Sequence, residues 1–160
     1  MINKLIAFTI FLLVITLSNA SASPALLYNN RKSTEYFVNY QNQILELRNK
    51  LLKNHTVGIT GITGKGKSER AREYVSKYHD NYEIIACLNV DVDLVPQYIN
   101  LAKDINRVIC LKEGCLLSTS PKDVKRDIMS FLAHKTKWLL IFDNVQLNQN
   151  NKIEDIINWE

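Results

Sequence analysis

The chain has 160 residues, 46% of them hydrophobic and 22% charged, with 5 glycines and 3 prolines, which excludes a collagenous, low-complexity or disordered chain and indicates one globular domain. Twenty basic side chains against 16 acidic ones leave a net charge of +4, too small and too evenly spread to indicate a nucleic-acid surface. Cys87, Cys110 and Cys115 are an odd number of cysteines without a C-x-x-C pair, and His55, His79 and His134 stand apart from them in sequence, so neither a disulfide framework nor a zinc site is expected.

The N-terminus reads as an export signal. Lys4 precedes the 13-residue apolar run Leu5 to Leu17, and small residues follow at Ser18-Asn19-Ala20-Ser21-Ala22. The run is short for a membrane span, and the tail offers an A-x-A cleavage site after Ala22, with cleavage after Ala20 as the alternative. A buried N-terminal helix is the competing reading, but only Thr9 and Thr16 interrupt the apolar surface, where a core helix carries a polar face. Residues 1–22 are therefore expected to be a signal peptide, leaving no stable membrane span after cleavage.

Residues 23–35 read as an irregular lead-in, followed by a Tyr36-Phe37-Val38 apolar patch. From Gln41 to Lys53, Ile44, Leu47 and Leu51 recur at helical spacing with Leu45 and Leu52 beside them. Thr56 to Thr60 is a short, mostly β-branched run that predicts a buried strand. A glycine-rich turn leads to a helix over 67–78, with Ala71, Tyr74, Val75 and Tyr78 on one face, and Tyr82 to Val90 reads as the next strand. Asp93 is the expected cap of a helix through Asp104. Residues 106–118 are compatible with strand or helix. Ser120-Pro121-Lys122-Asp123 predicts a capped start with a first-turn proline, leading into Val124, Ile128 and Leu132. Trp138 to Phe142 is a third strand ending at Asp143, and Ile153, Ile156 and Ile157 suggest a last helix. Strands alternating with helices predict an α/β domain with a parallel sheet.

The turn itself, Gly61-Ile62-Thr63-Gly64-Lys65-Gly66-Lys67-Ser68, fits G-x-x-x-x-G-K-[ST] between a predicted strand and a predicted helix. A chance match in a chain of this length is on the order of one in two hundred, before that context is required. Such a loop curls its N–H groups around phosphate oxygens at a helix N-terminus. In this pattern Lys67 would reach the outer phosphates and Ser68 would bind magnesium. An acid ending a buried strand, Asp143, sits where parallel sheets bind ligands and would hold the magnesium through its water shell. Asn144 then stands where many P-loop enzymes carry a second acid, so Asp143 is the one candidate catalytic group. His79 and His134 fit solvated helix ends, and Tyr74 with Tyr78 fits packing better than base stacking.

The run VGITGITGKGKSERAREYVSKYHDNYEIIACLNVD, then PQYINLAKDIN and KWLLIFDNV, resembles the nucleotide-binding core of NB-ARC proteins, the signalling STAND-type P-loop ATPases, over roughly Tyr36 to Val145. The resemblance implies a three-layer P-loop NTPase-like fold over residues 36–160 and a switch controlled by ADP or ATP with magnesium. There are departures: Val38-Asn39-Tyr40 stands where the family has a V-G-R-like motif, and Lys65 and Arg70 add positive charge expected to lie near the phosphates. The family continues past the Walker B strand with a sensor strand and further helical domains, whereas this sequence ends 17 residues after Asp143. The fold is therefore expected to be incomplete at its C-terminus, with Thr56 to Thr60 and Trp138 to Phe142 left as open interior edges that drive oligomerisation. Two functions follow: a nucleotide-binding switch with slow hydrolysis and a protein partner or missing C-terminal half, or a truncated remnant serving as a non-enzymatic interaction fragment. A small-molecule phosphotransferase is a weaker third reading, because no acceptor site or arginine-rich lid is visible.

Overall fold

The computed structural model describes residues 8–15, 24–30, 41–62 and 64–146. Strand β1 spans Phe8–Ile15 and β2 spans Leu26–Tyr28. Helix α1, Gln41–Asn54, leads into β3, Thr56–Gly61, and α2, Lys67–Tyr78. Next come β4, Ile84–Asn89, and α3, Leu94–Ile105. A wide π turn at Asn106–Cys110 joins α3 to the short α4, Leu111–Glu113, and the chain closes with α5, Val124–Ala133, and β5, Trp138–Gln146. The apolar patch at 36–38 and the C-terminal helix expected around Ile153 lie outside the described residues.

The sheet order is β2-β4-β5-β1-β3. Strands β2, β4 and β5 are parallel neighbours, while β1 is antiparallel to both β5 and β3. Four strands thus share one direction and β1 alone opposes it. The period-2 alternation of the central strands feeds two cores. Ile84, Ala86 and Leu88 of β4 and Trp138, Leu140 and Phe142 of β5 pack with Tyr98, Leu101, Ala102 and Ile105 of α3 and Val124, Ile128 and Leu132 of α5. Ile85, Leu139 and Ile141 face the other way, onto Ile44, Leu47 and Leu51 of α1 and Ala71, Tyr74 and Val75 of α2. The chain is a three-layer α/β/α P-loop NTPase-like domain.

Local chemistry sets the ends of these elements. His55 takes a left-handed φ of 59° directly after α1, and its N–H bonds the Leu51 carbonyl at 2.9 Å, closing the last helical turn. Asp93 caps α3 through a 3.0 Å bond from the Val95 N–H. The ambiguous segment 106–118 is helical as far as Glu113, reverses at Gly114 with φ 72°, and then runs extended. Asn106 holds that extended piece by bonding the Leu117 carbonyl at 2.9 Å and the Leu117 N–H at 2.8 Å.

Several expectations are corrected. Residues 23–35 are not wholly irregular, because Leu26–Tyr28 adds a parallel strand to β4. Strand β3 is an edge strand in which only Ile59 is buried. Strands β3 and β5 are not open interior edges, since β1 lies between them. The cap at Ser120 acts through its carbonyl, which takes the N–H of Asp123 and of Val124 at 3.1 and 2.9 Å, so the helix begins four residues later than its hydroxyl would have placed it. Cys110 and Cys115 form a disulfide with a Cα separation of 4.5 Å. The reversal at Gly114 makes this possible, folding Cys115 back so that its N–H reaches the Cys110 carbonyl.

Candidate functional site

The loop between β3 and α2 departs from the strand at Gly61, whose φ of 151° suits glycine, and enters the helix at Gly66, a left-handed N-cap with φ 74°. A side chain at Gly66 would strain the backbone where the helix N–H groups open toward the loop. Lys67 is 8% exposed, and its Nζ donates to the Gly61 carbonyl at 2.8 Å and the Ile62 carbonyl at 2.9 Å. The ammonium is thus folded back across the mouth of its own loop. Ile62, Gly64 and Lys65 form the outer turn, with the Lys65 N–H 3.3 Å from the Ile62 carbonyl. Thr63 lies outside the described residues.

Ser68 Oγ donates to Asp143 Oδ1 at 2.8 Å, joining residues 75 positions apart. The geometry of β5 explains the meeting. Against β1, Phe142 pairs with Phe11 and Val145 with Thr9, so Asp143 and Asn144 together oppose Ile10. This is a β-bulge, which re-aims side chains and shifts the alternation by one. Asp143 keeps the α2-facing parity of Leu139 and Ile141, while Val145 joins the opposite core. Asn144 takes a left-handed φ of 63°, a conformation asparagine tolerates well.

A cavity of about 140 Å³ lies beside this contact, lined by Ser68, Arg72, Cys87, Asn89 and Asp143 with Asn29, Asn30 and Asn144 at its rim. Asn144 donates its backbone N–H to Asp143 Oδ1 at 2.9 Å and its Nδ2 to Asn89 Oδ1 at 3.0 Å. Gln97 of α3 clamps Asn89 by both backbone groups, at 2.9 Å to its N–H and 2.8 Å to its carbonyl. The carboxylate end of β5 is therefore tied through amides to β4 and α3.

Arg70 is placed differently from expectation, on the outer side of β3 with Glu46, Lys50 and Thr60. The cation lining the cavity is Arg72, ion-paired with Glu69. Arg72 follows Ser68 by four residues, a spacing that puts both on one helical face, and this signal was present in the sequence. Cys87 and Asn89 were legible in the same way, as the α2-facing positions of β4 once Asn89 is registered against Asp143. His79 and His134 sit at helix ends, bonded to the carbonyls of Ser76 and Ser130. Tyr74 is buried against Tyr78 and Tyr82, with ring centroids 5.0 and 6.5 Å away, which is packing rather than an open stacking platform.

The NB-ARC domain family model matches residues 40–158, most of the chain. The chain belongs to the NB-ARC family. No curated protein and no solved structure matches it. Family membership makes this a nucleotide-binding P-loop module, and the loop, Lys67, Ser68 and Asp143 of this NB-ARC chain are where such a module would carry its phosphate and metal contacts. The donor set suits magnesium: Ser68 Oγ and Asp143 Oδ1 are hard oxygen ligands facing one cavity, and magnesium is held by one or two protein oxygens plus phosphates and water. Among the described residues, no group of three His, Cys, Asp or Glu side chains gathers as a larger metal cluster. No helix among them is long and apolar enough to cross a membrane.

Proposed function

We propose that the NB-ARC module binds ADP or ATP with magnesium through Gly61 to Ser68 and Asp143, as a switch with slow hydrolysis. The observation that carries this reading is the Ser68–Asp143 bond, which brings the loop's hydroxyl and the β5 carboxylate to one point beside a buried lysine. Loop N–H groups and the α2 N-terminus would orient the phosphates. Lys67 would exchange its two carbonyl partners for phosphate oxygens, a stronger charge-assisted contact. Magnesium, when bound, would offset charge on the phosphate oxygens. Slow turnover follows from Asn144, whose amide is committed to Asn89 and which lacks a carboxylate to accept a proton from water.

Titration calorimetry with MgADP and MgATP tests the reading. Heat from the parent protein and its loss in Lys67→Ala are expected, whereas no heat at millimolar nucleotide from a folded sample rejects it. That outcome would favour the interaction-fragment reading, for which the strongly exposed Leu111 and Leu116 beside the Cys110–Cys115 bridge are the supporting observation. Export by residues 1–22 is a separate part of the proposal. A fusion of residues 1–25 to a reporter active only outside the cytoplasm should be active, with a mature N-terminus at Ser23 or Ser21; a full-length cytosolic product overturns it.

A further inference from the structure

The P-loop strand β3 has one neighbour in the sheet, and that neighbour is β1. Six residues of β1, Phe8 to Leu13, register against Gly61 to Thr56, while the other side of β1 registers against Trp138 to Gln146. Every ladder bond between the strand that carries the P-loop and the strand that carries Asp143 therefore runs through the N-terminal segment. The segment is chemically suited to the place. FTIFLLVI is a continuous apolar run rich in β-branched and aromatic residues, without glycine or proline, as expected of a strand with neighbours on both edges. Withdrawing it would strip ladder partners from β3 and β5 together, leaving two rows of backbone groups unpaired.

We propose that the channel between β3 and β5 is an acceptor site for an extended apolar strand, that residues 8–15 of this chain are its resident occupant, and that this occupancy holds the two halves of the site together. The same residues form the core of the segment that reads as an export signal. Cleavage after Ala22 would empty the channel, so processing and folding compete for one segment, and the 2.8 Å Ser68–Asp143 contact belongs to the state in which folding has won. The link to nucleotide control rests on the binding reading above, but the strand's place in the sheet does not.

The test is amide hydrogen exchange on the full-length chain without nucleotide. Residues 8–15 and 56–61 are expected to exchange on the order of 100-fold or more below free-peptide rates, and to open together. Free-peptide exchange at 8–15 alongside protected 84–89 and 138–145 overturns the proposal. Leu12→Pro, which removes a ladder N–H from the middle of β1, should release 56–61 while 84–89 stays protected; unchanged protection at 56–61 overturns it too. Should that variant not fold, a register test on the full chain decides. Leu12→Cys with Val57→Cys, opposite in the ladder, should oxidise to a disulfide, and Leu12→Cys with Thr60→Cys, three positions away, should not; the reverse pattern sinks the idea. Nucleotide titration of the same samples separates the two readings. Protected β1 without nucleotide heat rejects the binding site and upholds the strand, and heat with unprotected β1 does the opposite.

Discussion

The two strands that present the site are held in unequal ways. Strand β5 has ladder partners on both edges and apolar side chains on both faces, with Leu139, Leu140, Ile141 and Phe142 all at most 3% exposed. Strand β3 has a partner on one edge and buries Ile59 alone. Asp143 is thus a fixed reference point in the domain's best-packed strand, whereas the P-loop hangs from its least supported one. A ligand bridging Lys67, Ser68 and Asp143 would add what the sheet supplies sparingly, a tie between the two halves.

The largest effect expected from breaking that contrast is in the core. Leu140→Ala should cost about 2–5 kcal/mol, because it leaves a cavity among α3 and α5 side chains that cannot collapse. Ile59→Ala on β3 should cost clearly less, since one face of that strand is open to solvent. Chemical denaturation of both variants checks this, and equal costs would erase the distinction between the strands. Next is Lys67→Ala, which should weaken nucleotide binding by roughly 1.5–3 kcal/mol through loss of a charge-assisted contact, read by calorimetry, with little change in melting of the ligand-free protein.

Reduction of Cys110–Cys115 should destabilise the chain by about 2 kcal/mol, the loop-closure value for so short a loop. Because this bridge lies with the α3 and α5 core, nucleotide affinity should stay unchanged; a loss of affinity on reduction would show that the two sides are coupled. The smallest effect sharpens the comparison by pH. Burial pushes the Tyr98 hydroxyl up to about 12, above the ordinary tyrosine value near 10. The unfolded chain therefore releases this proton first as pH rises. Stability from Tyr98 is complete below about pH 10 and is lost progressively toward pH 12. The hydroxyl has no hydrogen-bond partner among the described residues, so Tyr98→Phe should be neutral or stabilising by up to about 1 kcal/mol at pH 7 and should flatten the alkaline decline. Denaturation midpoints between pH 8 and 12 check both parts.

Tyr74 and Tyr82 add to the same alkaline decline from the other core. Their hydroxyls lie 2.6 Å apart, and burial raises both above the usual tyrosine range. Arg48, whose guanidinium sits 4.2 Å above the Tyr78 ring, opposes the rise at both hydroxyls without cancelling it.

Much of the fold was legible because its signals are local. The spacing of Ile44, Leu47 and Leu51 specifies one buried helical face wherever the helix docks, and the glycines and Lys67-Ser68 specify a strand, a tight loop and a helix start within a dozen residues. The acid after Trp138 to Phe142 was legible for the same reason, as was the parallel sheet implied by alternating elements. What tertiary structure alone decided are the features that depend on partners distant in sequence. Phe8–Ile15 is an apolar run compatible with a signal, a helix or a strand, and only the two ladders offered by β3 and β5 select the strand. The bulge that turns Asp143 toward Ser68 and sends Val145 to the other core exists because β1 supplies one residue where β5 supplies two. The Cys110–Cys115 bridge needs the reversal at Gly114, and the Asn89–Asn144 amide pair needs β4 and β5 in their observed register. Sequence by itself thus determined which residues carry the chemistry; long-range backbone pairing, which no local pattern encodes, decided how they meet.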